Sequence, residues 1–395
     1  MKNVAFLSSL LVLTVALILN QFARIQFGSI AISLIDISVV FLLISRGNLV
    51  KEIKKHQLSK SILYFEVACL LSLLLNIFNF QLVLIVIGSL YFMRWIVYSS
   101  VVFKINAYSK RHQRYLVNSM VTIGVFLLLL GFLQYVYYDN LQNLYYLGWD
   151  KHLYRLFTTF LDPNFAGAFF SLFSVLLAEL IFVNFNLKHT LRLIGYSYLF
   201  TITCLALFLT YSRSALLMFL FIFIIYFFLK RKLRFIFGIV MLLLIYFMIA
   251  STKFSVEGFN LLRSVSSEAR LATSSEAITI FLHNPIIGIG FNTYRYEQVK
   301  YGYRSIKGAS ISHSDAGVDN SFLFILATTG IVGFLFYFNL LYAICSYLYK
   351  KKTSFSIIAL SSLFGLLIDS IFINSLFYPF FMIWLWCLIG LRDYM

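Results

Sequence analysis

The sequence predicts an all-α, polytopic integral membrane protein with about twelve transmembrane helices. The first reason is composition. Of 395 residues, 61% are hydrophobic and only 12% are charged, and the mean hydropathy is +0.88. A soluble domain of this length does not have that balance. The second reason is the recurrence of apolar runs of roughly 17–25 residues, the length a helix needs to cross a hydrocarbon core. The third is the lack of alternation in segments of about 10 residues, which would mark a transmembrane barrel. Three prolines and few turn clusters leave no room for a separate soluble domain, so residues 1–395 read as one transmembrane domain.

The expected spans lie roughly at 4–20, 27–45, 61–78, 80–103, 115–137, 165–184, 193–211, 214–229, 235–250, 320–348, 355–373 and 378–391, with ends uncertain by a few residues. Basic clusters follow every second span: Lys51, Lys54, Lys55 and Lys60; Lys104, Lys110, Arg111 and Arg114; Lys188 and Arg192; Lys230, Arg231, Lys232 and Arg234; Lys350, Lys351 and Lys352. With twelve spans these clusters, Lys2 and Arg392 share one side. The positive-inside rule makes that side cytoplasmic, with both termini inside. The first run is kept as a span because removing it as a signal peptide would leave the N-terminus outside, and no clear cleavage site follows it.

Between the ninth and tenth spans this topology leaves a long external segment, about 251–319, which carries Lys253, Arg263, Arg270, Arg295, Lys300, Arg304 and Lys307. Long loops are exempt from the charge rule. A shorter external loop, about 138–163, holds Lys151, His152 and Arg155. The net charge of +17 fits cytoplasmic loop bias and anionic lipid better than nucleic acid. Cys69, Cys204, Cys345 and Cys387 all fall inside apolar runs and read as small buried hydrophobes, not disulfides or metal ligands. There is no internal repeat.

Three polar stretches open helices from the expected external face. In TTFLDPNFAG (158–167), Asp162 can cap and Pro163 suits the first helical position. In YSRSALL (211–217), Ser212 can cap the eighth span and Arg213 lies in its first turn. In VDNSFLFIL (318–326), Asp319 or Asn320 can cap the tenth span. A helix start presents unpaired N–H groups and partial positive charge, a favourable place for phosphate. Arg213 adds a planar, permanently charged fork suited to phosphate oxygens. The plain alternative is an arginine snorkelling to the headgroups.

A second arginine comes from SSEARLATSSEAITIFLHNP (266–285). Leu271, Ile278, Phe281 and Leu282 recur at helical spacing, so an amphipathic helix over about 267–282 is expected on the external surface. Arg270 sits in its first turn beside Glu268, and a surface ion pair is the alternative. NPIIGIGFNTYRY (284–296) follows as a Pro/Gly turn leading into an aromatic, basic stretch. Tyr294 can stack on a sugar ring or simply belong to the interfacial belt, and Arg295 adds charge.

In their order and spacing, these pieces resemble the O-antigen ligase/Wzy-type polymerase superfamily of polytopic glycosyltransferases, which use glycans carried on a lipid diphosphate. The resemblance covers about 150–340. It rests on Arg155 with LFTTFLDPNFAG, on YSRSALL, on EARL followed by NPIIGIGFNTY (Arg270, Pro285, Gly288, Gly290), and on DNSFLFILATTGIVGF (Asn320, Gly330, Gly333). It implies an all-helical fold whose long external loop folds over a lipid-facing cavity. It also implies that Arg213 and Arg270 contact the diphosphate of an undecaprenyl carrier, and that neither metal nor nucleotide is needed. Ligases carry His-Asn before the Gly-x-x-Gly stretch, with the histidine as base; this chain has Asp319-Asn320. That departure favours the polymerase branch.

The expected activity is polymerisation of undecaprenyl-diphosphate-linked oligosaccharide repeat units into O-antigen, capsule or exopolysaccharide, on the external face of the bacterial cytoplasmic membrane. Arg213 and Arg270 would steady the leaving diphosphate. Asp319, or secondarily His313, would act as base toward the incoming hydroxyl. Arg155, Asp162, Asn164, Ser212, Tyr294, Arg295 and Asn320 are candidates for holding diphosphate or sugar, with a plain helix cap the alternative for Asp162. No cofactor is expected. Partners are the lipid-linked oligosaccharide and membrane lipid, with a flippase and a chain-length regulator as further ones. Three other readings compete. A ligase would move finished glycan to a lipid or protein acceptor. A transporter would show polar residues at both ends of a path. A metal site would use His313, Asp315 and Asp319. Of the charges inside spans, Asp36 and Arg94 share a depth of roughly 15 Å. They should form an ion pair with Glu66 nearby, while Glu179 and Asp369 lie near opposite ends of their spans.

Overall fold

The computed structural model describes residues 2–27, 30–45, 48–147, 149–241, 265–304 and 317–392. Their order is α1 (Lys2–Leu19), a hairpin of β1 (Arg24–Phe27) and β2 (Ile30–Ser33), α2 (Leu34–Ile44), α3 (Leu49–Lys55), α4 (Ser59–Leu75), α5 (Leu82–Ser99), α6 (Val101–Asn106), α7 (Lys110–Tyr137), α8 (Pro163–Asn186), α9 (Thr190–Leu209) and α10 (Arg213–Leu229). Then come α11 (234–241), α12 (Val265–His283), α13 (Tyr294–Lys300), α14 (Ser321–Lys351), α15 (Ser354–Asp369) and α16 (Pro379–Gly390). The protein is an all-α polytopic membrane protein. Among the described residues six helices are each long and apolar enough to cross a membrane, and α3 with α4, bent by 107°, pass the same test together as a broken span or a re-entrant loop. Shorter apolar helices, α2, α10, α15 and α16, fall where four further spans are expected. The ninth expected span begins at α11 and runs on outside the described residues.

Burial separates centre from periphery. In α8 the most apolar window is 83% buried, against 22% in α9, although both read as uniformly apolar. The difference lies in position, with α8 packed against α9, α10 and α15. α8 carries Ala166, Gly167, Ala168, Ser171, Ser174 and Ala178, and small residues let helices approach closely in lipid, where apolarity alone draws nothing together. A Cβ on Gly167 would lie 2.7 Å from the Ala215 Cβ of α10, and one on Gly124 would strike the Phe173 ring. The equally buried α16 packs beside α8 through an aromatic cluster of Phe160, Phe169, Phe380 and Trp384.

Residues 24–33 differ from the expectation of a span beginning at 27. They pair as a hairpin with Arg24 opposite Ser33. The helix starts only at Leu34, because Ser33 and Asp36 form a reciprocal capping box. The expected ion pair is present: Arg94 Nε meets Asp36 Oδ1 at 2.7 Å. Glu66 is not part of it and accepts instead from Ser99. Glu179 pairs with Lys230 at 2.7 Å. All four cysteines are free; Cys69, Cys204 and Cys387 are buried and Cys345 is half-buried.

Candidate active site

Three helix starts meet at one end of the bundle. Asp162 caps α8, accepting from Asn164 N at 2.7 Å. Ser212 caps α10, accepting from Ala215 N, and donates to Asn164 Oδ1 at 3.0 Å. Asn164 is thus shared by two helix starts. Arg155, only 5% exposed, completes the joint by donating to the Thr210 carbonyl at 2.8 Å and to the Tyr211 carbonyl and Asn164 Oδ1 at 3.4 Å. In this position Arg155 is a clamp that sets the approach to Arg213, rather than an open contact for diphosphate. Ser212 is fully buried and acts as cap and strut.

The third start is that of α14. Asn320, not Asp319, is its cap, with Oδ1 accepting from Phe322 N and Leu323 N. Asn320 Nδ2 also donates to the Ile371 carbonyl, and Ser321 N to that of Ser370, which ties α14 to the end of α15. Asp319 is therefore released from capping. It is half-buried and within electrostatic reach of Arg270, Asp162 and Asp150. Burial pushes its carboxyl up to about 6, Arg270 draws it back, and the two aspartates push it further up.

Arg270, in the second turn of α12, is half-buried. Its guanidinium makes no hydrogen bond or ion pair among the described residues, yet its charge acts on Arg213, Asp319 and Asp369. The two arginines picked out in the sequence therefore lie close enough to repel each other. The Glu268 side chain lies outside the described residues, as do His313 and Asp315.

A glycine joint brings Arg270 here. α14 is broken at Gly330 (φ 64°), and the segment after α12 runs into the break. Ile289 N and Gly290 N donate to the Ala327 and Thr328 carbonyls, and Ile331 N and Val332 N to those of Pro285 and Ile286. A Cβ on Gly330 would lie 2.3 Å from the Ile286 carbonyl oxygen, and one on Gly288 (φ 72°) would lie 2.5 Å from the Thr328 carbonyl carbon. Only glycine permits both the backbone conformation and the approach. Asn76 Nδ2 and Ser72 Oγ of the α4 end secure the joint on the Gly288 and Thr328 carbonyls. Pro285, Gly288 and Gly330 thus position α12 and contact no ligand themselves.

Asp369, the last residue of α15, carries a role not assigned from the sequence. It is fully buried, and the Ser214 and Ser375 hydroxyls, Arg270 and Asp162 all act on its charge. Neither of its oxygens has a hydrogen bond of normal geometry, so the two hydroxyls face it at the limit of reach. It lies beside Ser214 in the first turn of α10 and within electrostatic reach of Arg270. Its place at the end of a span was legible; its neighbours on α10 were not.

Two expected residues lie elsewhere. Tyr294 is 1% exposed, has no face open to a sugar, and is influenced by Glu276 and Tyr303. Arg295 is half-buried and acts on Arg24, not on Arg213. Among the described side chains of α12, Ala277 and Ile280 are buried and Phe281 is half-buried, while Leu271, Ile278 and Leu282 of the expected apolar stripe are exposed.

No curated protein matches the chain. A family model described as O-antigen ligase matches residues 198–338. That stretch runs from α9 through Arg213, Arg270, the glycine joint and Asp319 into α14. The chain therefore carries, over residues 198–338, the domain of the O-antigen ligase/Wzy superfamily of membrane glycan-transferring proteins.

Proposed function

We propose that the protein is a polymerase that joins undecaprenyl-diphosphate-linked oligosaccharide repeat units on the external face of the bacterial cytoplasmic membrane. The observation that carries this reading is the closeness of two arginines, Arg213 in the first turn of α10 and Arg270 on α12, with the charge of Arg270 also acting on the uncapped Asp319. The like charges of Arg213 and Arg270 repel each other, and an anion shared between them would relieve that repulsion. A diphosphate with two arginine forks and the N–H groups of a helix start is a fitting anion.

In the proposed step, the growing chain lies on its carrier with the diphosphate at Arg213 and Arg270. A hydroxyl of the incoming unit attacks the anomeric carbon as the C–O bond to the diphosphate breaks. The leaving diphosphate takes the bonding electron pair and its charge is held by the arginines. Asp319 accepts the hydroxyl proton, and the anomeric centre inverts. Arg270 and Asp162 both act on Asp319 and on Asp369, so one network of charge runs through the site. Positive charge at the phosphates comes from arginine rather than from metal in this reading.

The aspartate at position 319, where ligases have histidine, supports polymerisation over ligation. The test is the glycan profile of a deletion strain carrying plasmid-borne variants. Arg213→Ala and Arg270→Ala should leave single repeat units on the lipid carrier. Full-length polymer retained on the carrier in the deletion strain would mean ligation instead. Normal polymer length with both variants would end the mechanism.

A further inference from the structure

A second cationic group lies at the same end of the bundle, and the mechanism above does not use it. Arg94 of α5 grips Asp36 with two hydrogen bonds, Nε to Oδ1 at 2.7 Å and Nη2 to Oδ2 at 2.8 Å. The same carboxylate also accepts from Tyr98 Oη at 2.7 Å and from Ser33 N and Oγ at 2.9 and 3.0 Å. Five donors saturate the lone pairs of Asp36. Two more arginines stand close to this closed pair. Arg24, at the foot of the hairpin, has a buried Nε with no hydrogen-bond partner and one long contact from Nη1 to Gln21 Oε1 at 3.4 Å. Arg295 of α13 is half-buried and makes no hydrogen bond or ion pair among the described residues. Arg94 and Arg295 both oppose the charge of Arg24. Three guanidiniums thus share one carboxylate that has nothing left to give, and two positive charges remain uncompensated in a partly buried place. Such an arrangement is costly without an anion.

The group is next to the candidate active site. Gln21 Nε2 donates to Tyr378 Oη at 2.8 Å, and Tyr378 Oη donates to Asn20 Oδ1. The Tyr378 ring stacks on Phe165 with centroids 4.2 Å apart and planes at 15°. Phe165 is adjacent in the chain to Asn164, the strut between α8 and α10. Arg24 on one side and Asp162 on the other both act on Tyr378. One aromatic pair therefore separates two clusters of arginine.

We propose that Arg24 and Arg295, beside the closed Arg94–Asp36 pair, form a second anion site, which takes the phosphate group of a lipid-linked molecule other than the one at Arg213 and Arg270. On the polymerase reading, on which this assignment rests, that molecule is the acceptor, and the group is its carrier diphosphate. Transfer between two lipid-diphosphate substrates needs two such sites side by side. Guanidinium forks at the end of a membrane bundle suit a diphosphate. The phosphate of an anionic bilayer lipid has the same chemistry, so the experiment separates the two sources.

The full-length protein in nanodiscs of neutral lipid is titrated calorimetrically with a short-chain polyprenyl diphosphate. Wild type should bind two equivalents. Arg24→Gln/Arg295→Gln should bind one, with the lost site weakened at least about tenfold, since charge-assisted hydrogen bonds are the strong ones. Arg24→Lys/Arg295→Lys should recover part of the second equivalent. The single Arg295→Gln variant breaks no hydrogen bond and guards against a folding artefact; it should also weaken the second site. Two equivalents bound as in wild type by Arg24→Gln/Arg295→Gln would overturn the proposal. Loss of the second equivalent in nanodiscs of anionic lipid would overturn the acceptor assignment in favour of a bilayer phosphate. Arg213→Gln/Arg270→Gln should lose the other equivalent. If it keeps both while Arg24→Gln/Arg295→Gln loses one, the donor reading fails and the second site stands.

Discussion

In the N-terminal half, Asp36 and Arg94 are locked together by two short hydrogen bonds, and three further donors fill the remaining lone pairs. In the C-terminal half, Arg270 and Asp319 feel each other's charge without bonding to anything described. The first arrangement is complete in itself, as is Glu179 with Lys230 and Tyr226. The second arrangement is half of one, with donors and a counter-charge held near but apart. Charge satisfied within the protein serves packing, whereas charge positioned and left unsatisfied has room for a ligand. Charged residues near membrane depth are thus sorted by their hydrogen bonds, not by depth.

The comparison breaks first at the arginines. Arg213→Ala or Arg270→Ala should lower polymer formation about a thousandfold, the scale of removing a preorganised charge at a leaving group, with unfolding midpoints in detergent close to wild type. A large stability loss with either variant would make the open set structural too. Asp319→Asn should cost about a hundredfold and change the pH profile. A base must be ionised, so the wild-type rate should rise with pH through about 6 and then level; the variant should lack that limb. An unchanged limb would assign it to another group. At the closed pair the pattern should reverse: Asp36→Ala leaves Arg94 without its partner, at a cost of about 2–3 kcal/mol. Denaturant melts should record this, while surviving protein stays active. Arg155→Gln should lower activity about tenfold by loosening the Asn164 joint, and a purely structural role would leave turnover per folded molecule untouched. The smallest effect belongs to Tyr294→Phe. Its hydroxyl is buried without a partner, so removal should be neutral or slightly stabilising, and a clear activity loss would return that residue to the site.

Some of this was written plainly along the chain. Asp162, Ser212 and the DN pair announce helix starts because capping is decided by a few adjacent residues. Asp36 with Arg94 was readable because an isolated charge in an apolar span calls for a partner. The hairpin at 24–33 was not readable, since four-residue strands are too short to show a period beside a long apolar run. With it went the grouping of Arg24, Arg94 and Arg295, which depends wholly on tertiary packing. The stripe on α12 marks a face without saying which way it points, because in a membrane protein apolar side chains cover the outside as well as the core. Arg155 looked like a ligand contact because nothing local distinguishes an arginine that binds carbonyls from one that waits for phosphate.

The seam between residues 285–290 and 327–332 has a consequence for exchanging parts among relatives. Each side accepts the other only where both Gly288 and Gly330 lack a side chain. A chimera that takes 265–290 from one parent and 321–333 from another would therefore work only if both parents keep this lock. Donor segments meant to alter glycan choice are best moved as the two pieces together, and a single piece from a parent that lacks its glycine should fail at insertion or assembly before specificity can be read.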